Sequence, residues 1–437
     1  MVLLYIDPGT GSMLFSILIG AAATLYFLVR AFIIKIKVLA SGGSAGARGL
    51  ARKNYVIYCE GRQYSDVFKP VLEEFEKRET ELLYLSSAED DPLLNAAWKY
   101  IKTEYIGEGN KAFARLNLLA ADVVLMTTPA LDVYQLKRSR GVKHYAHILH
   151  APGDATMYRL FGIDYFDSVL LTGEYQARDI RALEAQRGLP EKRLPVTGCS
   201  YLDVYAEKAA ALAAPGPGAA AKNAPFTVLV SPTWGPSGLL ARYGERLLAP
   251  LAATGWHIIV RPHPQSKKSE AALLERLGGR FKDAPNVEWD YERENIHALA
   301  RADVMISDFS GVIFDYTFLF DKPVLYVNQN IDLRPYDADD ICSGPDGTTD
   351  LKKLWQFRAL ADFGIELKEE MFERIGEVLQ SVSDNSELQA ARARAKSQAW
   401  MYPHSAGRRI ADFMVETRET IAVAESAGAN IAVAESA

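Results

Sequence analysis

The sequence predicts an α/β protein made of two halves, each built around a parallel β-sheet. Two observations lead to this prediction: short apolar runs alternate with longer helical segments, and the alternation stops once and then restarts. Strands separated by helices are typical of βαβ units and a parallel sheet. The length of 437 residues agrees, since it predicts about two to three domains rather than one core.

The composition argues against several classes of protein. With 49% hydrophobic and 24% charged residues, the chain can bury large cores and is not disordered. Its net charge is −6, whereas nucleic-acid-binding domains carry a basic excess, so we expect no nucleic-acid partner. Cys59, Cys199 and Cys342 are far apart and form no CxxC or Cys/His cluster. We therefore expect reduced, mostly buried thiols rather than disulfides or structural zinc.

An apolar segment at residues 12–34 predicts a transmembrane anchor. A helix of 18 to 23 residues spans roughly 27–34 Å, which is enough for a bilayer core. The basic residues that follow the uncharged run are Arg30, Lys35, Lys37, Arg48, Arg52 and Lys53, with no acid among residues 30–53. The positive-inside rule then predicts a single-pass protein of the inner (cytoplasmic) membrane, with residues 1–11 outside and the body in the cytoplasm.

Two alternatives to a membrane anchor exist for this segment. A cleavable signal peptide has a basic start and a shorter apolar core, whereas residues 1–11 contain no basic residue and one acid, Asp7. A buried core helix is the second alternative. The cations after the span would also suit anionic lipid head groups, which favours the anchor.

Composition shifts divide the rest of the chain. We predict a basic linker at 35–53, a first half at 54–208, an Ala/Pro/Gly linker at 209–225, a second half at 226–398, a C-terminal helix at 399–420 and a low-complexity tail at 421–437. First-half strands are predicted at 55–59, 81–87, 123–128, 146–150, 168–173 and 195–198, and second-half strands at 227–231, 256–262, 304–307 and 324–328. The tail carries the heptapeptide IAVAESA twice, which is too few copies for a solenoid.

The most informative motif is VMISDFSGVIFDY at Val304–Tyr316. A buried strand ends in Ser307 and Asp308, and an apolar helix begins after Ser310 and Gly311. Ser and Asp are good N-cap types, and the free N–H groups and dipole of a helix start attract anions. The motif predicts a phosphate site, although an ordinary capped turn has the same pattern.

A second motif, RPHP, delivers Arg261 and His263 to a loop stiffened by prolines. Arginine is a bidentate partner of phosphate, and histidine carries protons or donates hydrogen bonds near neutral pH. The alternative is a surface turn with an incidental histidine.

A third motif, HILHAPG, places His147 and His150 at the end of a first-half strand. Two histidines at this spacing could bind a metal, but no carboxylate or cysteine completes a recognisable set, so we expect no metal. A base beside a cleft is favoured over metal binding, and a structural pair stays open.

A fourth motif, SPTWG, ends the first strand of the second half and includes Thr233. Its hydroxyls and glycine could line a nucleotide pocket or form a plain turn. No GxxxxGK[ST], GxSxG or GxGxxG pattern occurs, which disfavours P-loop kinases, α/β-hydrolases and standard dinucleotide enzymes.

The order of these motifs resembles that of the CDP-glycerol glycerophosphotransferase family of teichoic-acid-type polymer synthesis. The resemblance covers residues 120–330 and is most specific at ISDFSGVIFDY and the downstream KPVLYV. It implies a GT-B fold, in which two Rossmann-like domains face a cleft and the second holds most of the nucleotide. The chain departs from the family at His150-Ala151-Pro152, where the family usually has His-Gly-Thr and a basic residue, which leaves the acceptor open.

The resemblance also implies residue roles. His150 takes the position of the base for the acceptor hydroxyl, and His263 lies beside the transferred phosphate. The substrate-binding positions are Arg261, Thr233, Ser307, Asp308, Ser310, Gly311 and His147.

The implied function is a membrane-anchored transferase that moves a polyol phosphate from a CDP-polyol donor to a hydroxyl of a lipid-linked envelope glycan or polymer. CMP is released, and no metal or cofactor is expected. A GT-B glycosyltransferase that uses a UDP-sugar and a non-catalytic anchored nucleotide-binding protein stay open as alternatives.

Overall fold

The computed structural model describes residues 24–26, 29, 52–213, 225–327, 331–383 and 385–435. The chain divides into two compact units, Met1–Arg52 and Lys53–Ala437. Of the expected membrane span at 12–34, residues 24–26 and 29 are helical and exposed, and the rest lies outside the described residues. In the part of the chain that the structure describes, no helix has the length and apolar character needed to cross a membrane.

The first half is built on a parallel sheet that comprises, within residues 52–213, six strands in the order β3-β2-β1-β4-β5-β6. The strands are β1 (Lys53–Cys59), β2 (Leu82–Ser86), β3 (Ile101–Tyr105), β4 (Ala120–Met126), β5 (Gly141–Ile148) and β6 (Ser168–Leu170). The α-helices are α1 (Ser65–Lys77), α2 (Asn110–Leu116), α3 (Tyr175–Arg187) and α4 (Ser200–Ala213). Short 3-10 helices lie at Arg62–Tyr64, Pro92–Asn95 and Ala155–Met157.

The second half repeats this plan, with six strands in the described residues from 225 to 383 in the order β12-β11-β10-β7-β8-β9. The strands are β7 (Thr227–Val230), β8 (His257–Val260), β9 (Val287–Trp289), β10 (Val304–Ser307), β11 (Val324–Tyr326) and β12 (Gly364–Glu366). The helices are α5 (Leu239–Arg242), α6 (Gly244–Ala253), α7 (Ser266–Ser269), α8 (Ala271–Arg280), α9 (Ile296–Arg301), α10 (Val312–Phe320), α11 (Ala338–Cys342), α12 (Trp355–Phe363), α13 (Ile375–Ser383) and α14 (Ser386–Ala399). Two more 3-10 helices lie at Leu351–Lys353 and Glu369–Arg374.

Both sheets have the doubly wound strand order 3-2-1-4-5-6 when each is counted from its own first strand. The order reverses between β1 and β4 in the first half and between β7 and β10 in the second. At such switch points the carboxyl ends of the strands leave a crevice in which ligands bind. The predicted α/β fold of two Rossmann-like halves is confirmed, and both crevices can now be located.

Alternate residues of each central strand pack on opposite faces of the sheet. In β1, Ile57 faces a core with Phe68 and Phe75, whereas Tyr58 faces a second core with Met126. Helices cover both faces of a parallel sheet, so its strands are apolar on both sides. Because the strands are packed on both faces, the positions of their carboxyl ends, where candidate site residues lie, are fixed.

A long C-terminal helix, α15 (Ala406–Glu435), returns from the second half to pack on the first. It includes the expected helix from residue 406 onward and most of the expected tail at 421–437. Gly407 lies so close to α1 that a Cβ atom there would be 2.6 Å from the Pro70 carbonyl oxygen. Only glycine allows this approach, which ties the two halves together.

Hydrogen bonds also connect the first half to the second half on one side of the cleft. The Asp154 carboxylate accepts the backbone N–H groups of Trp355 and Gln356 at 3.3 and 2.7 Å. Arg187 donates to Asp337 at 2.8 Å, which in turn accepts backbone N–H groups from the loop before β6. These buried partners hold the loop after β5 at a fixed position against the second half.

Two expected elements differ in the structure. The segment 195–198, expected as a strand, forms a single bridge between Leu171 and Val196 rather than a strand. Helix α4 continues to Ala213, so the expected linker at 209–225 begins as helix, and residues 214–224 lie outside the described residues.

Candidate active site

The carboxyl ends of the two sheets border a cavity of about 390 Å³. Its walls include Tyr64, His150 and Tyr201 from the first half, and Arg261, His263, Ser310, Gly311 and Asp315 from the second. Two imidazoles from opposite halves therefore share one cavity with the start of a helix.

His150 lies in the loop directly after β5. Its Nδ1 is 3.3 Å from the Tyr158 hydroxyl, and its ring meets the Tyr64 ring edge-on at 5.2 Å between centroids. Burial lowers the pKa of His150 to about 4. The imidazole is therefore neutral at pH 7 and has a lone pair that can accept a proton.

His147 lies one layer behind His150, within β5, and is fully buried. Its ring packs against Tyr158 and Phe166 at 5.1 and 5.0 Å, and its Nε2 is 3.1 Å from the Tyr158 hydroxyl. Burial lowers the pKa of His147 to about 3. His147 does not line the cavity, and its contacts make it a support for Tyr158 rather than a substrate contact.

His263 follows β8 in the proline-flanked loop. Its Nδ1 accepts the backbone N–H of Gln265 at 3.1 Å, which leaves the ring proton of the neutral form on Nε2. Burial lowers the pKa of His263 below its ordinary value. His263 is thus set to donate a hydrogen bond from Nε2, whereas His150 is suited to accept a proton.

Arg261 lines the cavity, but its charge is already paired. Its guanidinium donates to Asp290 at 2.6 Å and to the Glu292 carbonyl at 2.8 Å, and both members of the ion pair are buried. These contacts hold the loop after β9 against β8. Arg293, in that same loop, is a more accessible cation: its side chain is 63% exposed and pairs with Asp90 of the first half at 2.9 Å. In the sequence, Arg293 is distinguished only by its charge.

The turn after β10 is shaped by a buried carboxylate. Asp308 accepts the backbone N–H groups of Thr233 and Ser310 at 2.9 and 3.2 Å, and burial raises the pKa of Asp308 to about 6. The Ser307 hydroxyl donates to the Ser231 carbonyl at 2.6 Å. Thr233, Ser307 and Asp308 do not line the cavity and instead contact one another and Ser231 within the turn, so their substrate-binding role stays a prediction.

Ser310, Gly311 and Val312 present the first turn of α10 to the cavity. The first N–H groups of a helix have no partner within it, and its dipole adds positive potential, so anions bind there. A Cβ atom on Gly311 would meet nothing within 4 Å, and the residue has helical backbone angles. The open space above Gly311 is therefore available to a ligand.

A carboxyl that the sequence analysis did not single out also lines the cavity. Asp315, one turn into α10, accepts hydrogen bonds from the Tyr201 hydroxyl at 3.0 Å and from Asn295 at 3.3 Å. Burial raises the pKa of Asp315 to about 7. Near neutral pH the group is partly protonated, which reduces its repulsion of an anion. A lone carboxylate in an otherwise apolar helix was the signal available in the sequence.

Among the residues that the structure describes, no three His, Cys, Asp or Glu side chains are arranged to hold a metal ion.

The family model described as CDP-Glycerol:Poly(glycerophosphate) glycerophosphotransferase matches residues 180–340. The match includes the SPTWG, RPHP and SDFSGVIFDY motifs and begins after the first-half histidines His147 and His150. No curated protein matches the sequence.

Solved structures of the same fold include the wall teichoic acid polymerase TagF, with a TM-score of 0.51 and 15% identity over 84% of this chain and 89% of that chain. A TagF variant after a 15-minute soak with CDPG matches with a TM-score of 0.50 and 14% identity, with the same coverage. The UDP-GlcNAc 2-epimerase from Methanocaldococcus jannaschii has a TM-score of 0.52 and 14% identity over 83% of this chain and 99% of that chain.

At these identities the structural likeness establishes a GT-B-like fold, and the family match adds the activity class. The resemblance predicted from the motifs is confirmed by the family match over residues 180–340, which supports a glycerophosphotransferase enzyme.

Proposed function

We propose that this protein transfers a polyol phosphate from a CDP-activated polyol, such as CDP-glycerol, to an acceptor hydroxyl. The observation that supports the proposal is the single cavity in which His150, His263 and the start of α10 meet. The family match over residues 180–340 supports CDP-glycerol as the donor, as does the TagF variant soaked with CDPG.

The diphosphate of the donor would lie on the second half. Its oxygens would accept hydrogen bonds from the N–H groups of Gly311 and Val312 and from Nε2 of His263, since the Ser310 N–H already donates to Asp308. Arg293 would supply a positive charge once its exposed ion pair with Asp90 opens, since exposed pairs contribute only about 0–1 kcal/mol. Such donors stabilise charge that spreads over the phosphoryl oxygens in the transition state.

The acceptor hydroxyl would be activated by His150. Its oxygen forms a new bond to the phosphorus that carries the polyol, the bond from that phosphorus to the bridging oxygen breaks, and CMP leaves. The hydroxyl proton passes to Nε2 of His150. A positioned base of this kind contributes about 10²- to 10⁴-fold to the rate.

If His150 acts as the base, the protons on its Nδ1 and on the Tyr158 hydroxyl must take one arrangement. His150 must donate its Nδ1 proton to the Tyr158 oxygen, and Tyr158 must donate its own proton to Nε2 of His147. Tyr158 then holds His150 in the tautomer whose Nε2 is free. His147 thus contributes through Tyr158 rather than by contact with substrate.

We further propose that the acceptor is lipid-linked and that residues 12–34 anchor the protein in the cytoplasmic membrane with its body inside the cell. The uncharged run and the basic residues after it support this orientation. Confinement beside a two-dimensional substrate pool would raise the effective acceptor concentration.

The test is CMP release from CDP-glycerol by the full chain in the presence of membrane lipid extract. Thermal shifts with CDP and UDP separate this donor from a UDP-sugar, because the preferred nucleotide stabilises the folded state more. His150→Ala and His263→Ala should each abolish most turnover, whereas His297→Gln, an exposed histidine on α9, should not. Full turnover in both alanine variants would refute the assignment.

A further inference from the structure

A second cavity, of about 620 Å³, adjoins the first at the carboxyl ends of β1 and β2. Gln63 and Arg293 line both cavities, so the two spaces are neighbours. Glu60 lines the second cavity, whereas Tyr64 and His150 line the first, with their ring centroids 5.2 Å apart. A group held in the second cavity can therefore extend a hydroxyl toward His150.

The second cavity is acidic. Glu60, Glu89, Asp90 and Glu108 line it, together with the cations Arg62 and Arg293. Asp90 pairs with both cations, at 3.3 Å to Arg62 and 2.9 Å to Arg293. Across the described residues, Glu60, Glu89 and Glu108 form no ion pair, so the cavity keeps an excess of negative charge.

Its other walls suit an uncharged polyhydroxylated ligand. The hydroxyls of Tyr58 and Ser87 lie 2.9 Å apart on the wall, and burial raises the pKa of Tyr58 to about 12, which keeps the phenol neutral. The half-buried Phe113 adds an apolar face. Carboxylates accept hydrogen bonds from sugar hydroxyls, and an aromatic face packs on the C–H face of a sugar ring.

Resting on the proposed function, we propose that the acceptor is an uncharged saccharide and not a polyol-phosphate chain. Each phosphate of such a chain would bring a negative charge beside the exposed carboxylates Glu89 and Glu108, which form no ion pair, and like charges at close range disfavour binding. The donor diphosphate escapes this repulsion because it lies on the second half, against His263 and the start of α10.

The charge of the second cavity also limits the number of transfers. After one transfer, the new terminal hydroxyl belongs to a polyol that is joined to the saccharide by a phosphodiester. A second transfer would require that phosphodiester to enter the acidic cavity. The enzyme therefore adds a single unit to a glycan rather than extending a polymer.

The test uses a synthetic oligo(glycerol phosphate) as acceptor and CDP-glycerol as donor, with CMP release and product mass measured for the full chain. Glu89→Lys combined with Glu108→Lys changes two exposed residues of the cavity. We expect this double variant to raise kcat/KM for the phosphate acceptor at least tenfold over the wild type. Glu275→Lys combined with Glu373→Lys, which makes the same charge change at exposed positions outside both cavities, should have no such effect.

The outcomes separate the two proposals. A wild type that extends the phosphate acceptor into a ladder of products, or a cavity variant whose rate equals that of the control, overturns the saccharide inference while the transferase activity stands. If no variant releases CMP and CDP-glycerol causes no thermal shift, the proposed function itself fails.

Discussion

The two halves of this protein have the same strand order but opposite chemistry at their strand ends. In the first half, β1 is followed by Glu60, and the cavity there keeps unpaired carboxylates. In the second half, the ends of β8 and β10 present His263 and the first N–H groups of α10. The doubly wound fold thus fixes where ligands bind, whereas the residues after each strand decide the charge of those ligands.

Carboxylates occur in both halves, and their surroundings make the difference. Asp308 and Asp315 of the second half are buried, and burial raises their pKa values to about 6 and 7. Glu89 and Glu108 of the first half are instead exposed to solvent. The second half can therefore contain acids near an anion site without repelling the anion strongly.

The largest effect should come from His150, the imidazole of the first half. His150→Gln keeps a polar side chain of similar size but removes the base, so kcat should fall by about 10²- to 10⁴-fold. Donor affinity, measured by titration with CDP, should stay unchanged because the proposed nucleotide site lies on the other half. A parallel loss of CDP affinity would contradict the division of roles between the halves.

The buried pair Arg261–Asp290 tests whether Arg261 is structural or a phosphate contact. Removing one member of a buried pair leaves the other charge uncompensated, so Asp290→Ala should lower the free energy of unfolding by about 3–5 kcal/mol. Glu245→Ala, which breaks an exposed pair with Arg280, should cost about 0–1 kcal/mol. Urea unfolding measures both.

Replacing either member of that pair should also have the same effect on donor affinity. If Arg261 acts by holding the loop after β9, Arg261→Ala and Asp290→Ala should reduce donor affinity equally. A much larger loss of affinity in the Arg261 variant would restore the phosphate role that the motif suggested.

Gly311 tests the anion site of the second half directly. Gly311→Ala adds a methyl group that meets no protein atom within 4 Å, so folding should be unaffected. The methyl group would displace a phosphate from the start of α10, and a lost charge-assisted hydrogen bond costs about 1.5–3 kcal/mol, or roughly tenfold or more in the Kd for CDP-glycerol. Gly278→Ala, also in open space but on α8, is the control. Equal CDP-glycerol affinity in both variants would place the phosphate elsewhere.

The sequence predicted the central strands better than the edges. β1, β4, β7 and β10 are apolar on both faces and stand out, whereas the missed strands β3, β9 and β12 lie at sheet edges and are partly exposed. An edge strand has one paired side and mixed exposure, so it lacks a continuous apolar run.

The site residues, too, were predictable only where the local sequence marks them. Motifs marked His150, His263 and the start of α10, because each stands at a strand end that chain order reveals. They could not show that the charge of Arg261 is paired with Asp290, 29 residues away, or that Asp308 accepts the N–H of Thr233, 75 residues away. Such pairings depend on the tertiary fold, and they decide which side chains remain free for a ligand.

The smallest expected effect is a pH dependence of the stability that Asp315 contributes. Its pKa is raised to about 7 in the folded state, so the folded protein binds the proton more tightly than the unfolded chain. The contribution of Asp315 to stability is therefore greatest at low pH and declines as pH rises from about 4 to about 7. Asp315→Asn does not titrate and can still accept the Tyr201 hydrogen bond. Urea unfolding of both proteins at pH 5 and pH 8 should show the variant gaining stability relative to the wild type at the higher pH. A pH-independent difference would mean that Asp315 is ionised throughout, and the second half would then hold a full negative charge beside its anion site, as the first half does.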